Sequence, residues 1–208
     1  SISAVSLAAN YAQVLGSVFY GLGTGATLLC AQYYGKRDFR AIQAVQGIAM
    51  RFSMAISALF ALAAFTVPQV MMRLFTNDAE LISIGAGYLR IMGITYLCWG
   101  IIEVHMSVLR SIGRVTVCLA LNVLTFFLNI LLNATFIFGL FGAPRLGAIG
   151  VAIATAASRA AELIGSIVVS AFSKDVKLAP MEMFPSNKVL TGDFIRLALP
   201  ALGNDVSW

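Results

Sequence analysis

Apolar residues fill this chain in long blocks, and charge falls almost entirely between the blocks. Leu7 to Tyr34 carries no charged side chain, and neither does Phe52 to Met72. Leu81 to Leu109 is interrupted only by Arg90, Glu103 and His105, Val115 to Pro144 is uncharged, and Gly147 to Phe172 holds only Arg159 and Glu162. A helix needs about 20 apolar residues to cross the hydrocarbon core of a bilayer, and each block reaches that length. A further apolar run opens at Phe194 and ends at Trp208 after about 15 residues, short of a span. The pattern predicts an all-α membrane protein: a polytopic helical bundle of five full transmembrane helices plus the start of another.

Organisation follows from the same pattern. Residues 1–172 form the bundle, and 173–193, "SKDVKLAPMEMFPSNKVLTGD", read as a polar connector with two prolines and mixed charge. Residues 194–208 begin a second group of helices, the repeat of the first that many transporters carry. The chain opens at Ser1 with neither an initiator Met nor the charged start of a signal peptide, so it is expected to be a piece of a longer protein.

Composition agrees: 60% of residues are hydrophobic and 11% charged, where soluble proteins carry about 25% charged residues. The net charge of +5 is not gathered on one polar face as nucleic-acid binding requires, and no nucleic-acid partner is expected. It does orient the chain, because Lys and Arg in short loops are held on the cytoplasmic side. Lys36, Arg37 and Arg40, then Arg110 and Arg114, then Lys174, Lys177 and Lys188 alternate with the loops "FTNDAE" and "GAPRLG". The three basic clusters therefore belong to the cytoplasmic side.

Motifs narrow the chemistry mainly by exclusion. Gly21, Gly23 and Ala26 match a dinucleotide-loop spacing, but that loop needs a strand before it and an acid about 20 residues on, and position 41 is alanine. Gly21 and Gly25 instead form a G-x-x-x-G face on which a second helix can pack closely. Pro68 and Pro200 predict kinks. Cys30, Cys98 and Cys118 lie singly inside apolar runs, which indicates packing and neither a zinc site nor a disulfide framework.

Function in a membrane chain is sought where polar groups stay in hydrocarbon despite their cost. Asn122, Thr125, Asn129 and Asn133 recur at helical spacing and share one face, either as interhelical glue or as the lining of a cavity. The acceptor string at Asn133 to Thr135 sits in a span that cannot present it for glycosylation. Glu103 shares a helix face with Tyr96 and Trp99, where an acid beside aromatic rings suits an organic cation or carries a proton. The competing reading is a structural hydrogen bond or ion pair. His105 points nearly the other way and reads as packing. Arg159 and Glu162, three apart, are close enough to neutralise each other and read as a structural ion pair.

In order along the chain, "GLGTGATLLCAQYYGKRD", "YLRIMGITY", "LRSIGRV", "LNILLNATFIFGLFG" and "LGAIGVAIATAASRAAEL" resemble the multidrug and toxic compound extrusion (MATE) family. The resemblance covers nearly the whole chain and matches the second through sixth helices of a twelve-helix transporter and the start of the seventh. It implies two six-helix lobes around a central cavity, with the first helix and the C-lobe lying outside this sequence. It also implies antiport driven by H+ or Na+, export of small organic cations and related amphipathic compounds, contact with membrane lipid, and no cofactor. The expected location is the plasma (inner) membrane of a prokaryote. Some members place a coupling-ion site on an N-x-x-x-D pair, and here Asn129 is followed by Asn133 where the acid would stand. Others carry coupling acids in the C-lobe, which Asp205 echoes at a different offset from Pro200.

Two other readings compete. A flippase of lipid-linked sugars uses a similar bundle with a basic interior, and few basic residues lie in these spans. A membrane-embedded enzyme needs a nucleophile with its base, or paired metal ligands, and one histidine with isolated acids supplies neither.

Overall fold

The structure, a computed structural model, describes residues 2–74, 76–142, 144–173, 176, 178 and 188–206, with the backbone alone at 2–5, 141, 188 and 204–206. Seven helices account for nearly all of it: α1 (Ile2–Gly35), α2 (Phe39–Thr66), the short α3 (Pro68–Arg73), α4 (Ala79–Ser111), α5 (Val115–Phe138), α6 (Gly147–Phe172) and α7 (Lys188–Val206). There is no strand among the described residues. Five helices, α1, α2, α4, α5 and α6, are long and apolar enough to span a bilayer. The protein is an all-α polytopic membrane bundle.

Local chemistry sets the helix limits. Asp38 closes the turn after α1, its carboxylate accepting from Ala41 N at 3.0 Å to cap α2. Asp78 caps α4 in the same way, accepting from Glu80 N at 2.9 Å. Such caps supply partners that the first turn of a helix lacks. Gly139 ends α5 in the left-handed region at φ 74°, a conformation that costs glycine nothing.

Three boundaries differ from those the apolar pattern predicts. The second span begins at Phe39, ahead of Phe52, because α2 runs straight through Arg51. At 28 residues it is about 42 Å long, which exceeds the roughly 30 Å hydrocarbon core and leaves its first turns in the interface. It also stops at Thr66. Pro68 lacks a backbone N–H and drives the preceding Val67 out of the helical region, to φ −131° and ψ 44°, so that α3 starts afresh with proline in its first turn. Finally, α7 starts at Lys188 and takes in the last residues of the expected connector. Lys174 and Lys177 lie outside the described residues, as do the side chains of Lys188 and Asp205.

Helix α4 is the centre of the bundle, packed against α1, α2 and α6. Two apolar clusters divide the core along its length. One joins Leu22, Leu29, Ile42, Met50, Ile102, Leu109 and Phe194. The other joins Leu15, Phe19, Met72, Tyr88, Leu89 and Tyr96. The G-x-x-x-G face of α1 receives α7: a Cβ on Gly25 would stand 3.0 Å from the Ala198 Cα, and one on Gly21 2.9 Å from the Leu202 Cα. Only glycine lets the two backbones come that close. Helix α5, by contrast, packs chiefly on α6 and leaves Leu124, Phe127 and Phe138 exposed.

Candidate functional site

The polar stripe of α5 meets a second polar face on α6, and a groove of about 280 Å³ runs between them. Asn122, Thr125 and Asn129 form one wall, Thr155, Ser158, Arg159 and Glu162 the other, with Phe126 at the rim. The α6 face follows from spacing alone, since residues 155, 158, 159 and 162 fall on one side of a helix. Among the described residues one side-chain hydrogen bond joins the walls, and the others lie within each helix. Asn129 Nδ2 donates to Ser158 Oγ at 3.4 Å, and Asn133 Nδ2 donates to Asn129 Oδ1 at 2.9 Å. Ser158 and Thr155 return their hydroxyl protons to the carbonyls of Ala154 and Val151 on their own helix. Asn133 Oδ1 has no hydrogen-bond partner among the described residues.

Arg159 and Glu162 close on each other, Nη1 donating to Oε2 at 2.8 Å. Their neighbourhood is what a single helix could not reveal. The guanidinium carbon of Arg159 lies 4.9 Å from the ring centroid of Trp99 on α4, and Trp99 meets Phe19 of α1 edge-on at 5.4 Å. An ion pair on one helix, a tryptophan on a second and an amide stripe on a third therefore converge.

Glu103 belongs elsewhere, and here the structure corrects the sequence. It is not an unpaired acid beside Tyr96 and Trp99. Arg110 Nη2 donates to Glu103 Oε1 at 2.7 Å and to Ser107 Oγ at 2.9 Å. The pair lines a separate groove of about 230 Å³ between α1 and α4, with Tyr20, Thr24 and Thr27. Tyr96 is fully buried near Tyr11, their ring centroids 6.0 Å apart, and contributes to the core. Shared helix face is thus a weaker guide than reach, because a long arginine spans two helical turns.

His105 is fully buried, its Nδ1 3.3 Å from Gln46 Nε2. Its Nε2 has no partner among the described residues. Cys30, Cys98 and Cys118 are free thiols. No group of three His, Cys, Asp or Glu side chains able to hold a metal converges among the described residues. The larger hollow of about 530 Å³ lies by α3 and the start of α4, lined by Gln69, Arg73 and Asn77, and brings together neither an acid nor an aromatic ring.

The chain as a whole is similar to known transporters. Residues 1–135 match the sequence profile of the MatE family. The "Uncharacterized transporter YisQ" of Bacillus subtilis is 25% identical over 208 residues, covering 100% of this chain and 46% of that protein. The "Probable multidrug resistance protein NorM" of Thermotoga maritima is 28% identical over 160 residues, 76% of this chain and 34% of that protein. The chain thus spans about half the length, or less, of these relatives. Among solved structures, an inward-facing conformation of a multidrug resistance MATE family transporter superposes with a TM-score of 0.84 at 21% identity, covering 98% of this chain and 46% of that one. An outward-facing conformation superposes with the same TM-score, 0.84, at 22% identity, covering 99% of this chain and 45% of that one.

Proposed function

The chain belongs to the MatE family, and on that premise we propose that it forms the N-terminal half of a cation-coupled antiporter in a prokaryotic plasma membrane. The antiporter uses H+ or Na+ and exports amphipathic, often cationic organic compounds by alternating access. The observation that carries this reading is the α5–α6 groove. Polar and ionisable side chains that line a cavity between membrane-spanning helices mark the path of a substrate or ion. The groove couples its amides and hydroxyls to the Phe126 ring and to a charged pair that sums to zero, whose guanidinium lies over Trp99, which suits cargo with both apolar and charged parts. The equal likeness to inward- and outward-facing neighbours supports alternating access, since a bundle that keeps its packing in both states is what rocking of one half against the other needs.

Glu103 takes the coupling role in this reading. A proton or metal cation reaching it would displace Arg110, so one chemical event changes the charge pairing on the face of α4 that lines the groove against α1. An exporter needs such differential affinity between states.

The test is transport by the full-length protein in proteoliposomes, with a cationic dye exported against an imposed proton or sodium gradient. Replacing Asn122 and Asn129 together by Leu should lower export per molecule of reconstituted protein by about tenfold, the loss of one or two polar contacts. Glu103→Gln should abolish export, and Glu103→Asp should keep part of it. Full export by the Asn variant would remove the groove from the cargo path.

A further inference from the structure

The surroundings of Arg159 are those by which a protein recognises an organic cation. Its guanidinium lies on the face of Trp99 and is hydrogen-bonded to a carboxylate, Glu162. A ring face with a nearby anion is the box that holds quaternary and aromatic ammonium ions, and tryptophan provides the strongest face. Two further observations show which part of this box is fixed. The Glu162 side chain is 4% exposed, whereas that of Arg159 is 31% exposed, so the carboxylate is walled in and the guanidinium has a way out. That way out is the groove, which Asn122, Thr125 and Asn129 also line and whose amide and hydroxyl groups can accept from a guanidinium. Among the described residues the pair is also joined by one hydrogen bond, weaker than the two-bond fork that arginine and carboxylate form at full strength.

We propose that Arg159 is a built-in competitor for cationic cargo. Trp99 and Glu162 are the box, Arg159 fills it when cargo is absent, and cargo enters by turning Arg159 into the groove. This rests on the proposed export of organic cations and names the regulation of that same site. The physical need is plain: a buried carboxylate left without a cation is strongly destabilising, so an exporter that empties its site must refill it with something positive. A tethered guanidinium does so in every cycle and drives release when it returns. It also weakens apparent cargo affinity by the fraction of time that it occupies the box.

The measurement uses the full-length protein with every tryptophan except Trp99, Trp208 included, replaced by Phe, so that Trp99 is the sole indole reporter. In that background, in lipid nanodiscs, benzyltrimethylammonium is titrated while Trp99 emission is followed, with uncharged neopentylbenzene as its isosteric control. Arg159→Gln should tighten binding of the ammonium by about tenfold or more, because the competing conformer is gone, and should leave the control unchanged. Adding Glu162→Gln should abolish that gain.

A second measurement uses the unsubstituted full-length protein and does not depend on the stability of any variant. Phenylglyoxal modification of Arg159, mapped by mass spectrometry, should become severalfold faster when the ammonium is present, because cargo pushes the guanidinium outward. A purely structural pair would show no change, and a guanidinium covered by cargo would show protection. If the unsubstituted full-length protein binds the ammonium, yet Arg159→Gln binds no tighter and labelling does not quicken, the competitor role is overturned while the cargo reading stands. If neither form binds it, organic-cation cargo is overturned and the competitor role with it.

Discussion

The two grooves hold the same ingredients, an acid, an arginine from the same helix and a nearby hydroxyl, but at different depths in the bundle. In the α1–α4 groove the arginine is Arg110, in the last turn of α4, with a side chain 38% exposed and an acid, Glu103, 13% exposed. In the α5–α6 groove the arginine is Arg159, at the middle of α6 (Gly147–Phe172), and its acid is walled in. An arginine at a helix end can withdraw toward the interface while its stem stays on apolar surface, and there it also meets the negative pole of its own helix. An arginine in mid-span has no such retreat. The first pair can therefore open at small cost, while the second opens only when another cation takes its place.

The largest expected effect breaks the deep pair. Arg159→Ala leaves the Glu162 carboxylate stranded and should destabilise the protein by about 3–5 kcal/mol, the usual cost of removing one partner of a buried pair. Thermal unfolding in detergent measures it. Glu162→Ala should cost less, because a freed guanidinium can turn into the groove. Exchanging the two residues should recover part of the loss, not all of it, since the cation then leaves the Trp99 face. Equal losses from the two alanine variants would contradict the picture of a fixed acid and a movable arginine.

The shallow pair should give a smaller response. Arg110→Ala removes two hydrogen bonds, to Glu103 and Ser107, and should cost about 1–2 kcal/mol, the range for bonds to a charged group where water can partly replace the donor. Glu103 stands near enough to the helix end for that replacement. A loss as large as that of Arg159→Ala would mean that the two depths are electrostatically alike, and the distinction between the grooves would fall.

The difference in depth also explains what could be read in the sequence. The spans were legible because an uncharged run of bilayer length has few other uses, and the break before Pro68 follows from proline's missing N–H. Arg51 misled the boundary of α2 because it stands near the middle of a helix, Phe39–Thr66, that is longer than the hydrocarbon core requires, so a charge there does not mark a helix end. The stripe on α5 was legible for the same reason as the spans: it is a periodicity within one helix. The groove was not, because the register of α6 against α5 depends on packing between segments, although Thr155, Ser158 and Glu162 repeat at helical spacing and would have pointed to a second polar face. Trp99 was placed with Glu103 on the strength of a shared face. Which neighbouring helix covers that face, and hence that its cation is Arg159, is tertiary information.

The smallest effect separates the two arginines by shape, with charge held constant. Lysine keeps the charge but has neither the planar fork nor the flat surface that stacks on an aromatic ring. At position 110, near the helix end, a flexible ammonium can still reach Glu103 or solvent, so Arg110→Lys should change stability by no more than about 0.5 kcal/mol, as for other exposed ion pairs. At position 159 the ring contact is part of the interaction, and a partly desolvated cation–π contact contributes about 1–2 kcal/mol. Arg159→Lys should therefore cost about 1 kcal/mol more than Arg110→Lys, and removing the ring by Trp99→Leu should erase that difference. The readout is a double-mutant cycle in thermal stability, with coupling between positions 99 and 159 and none between 99 and 110. Coupling of equal size at both would show that Trp99 supports the bundle as a whole and is not the floor of a cation site.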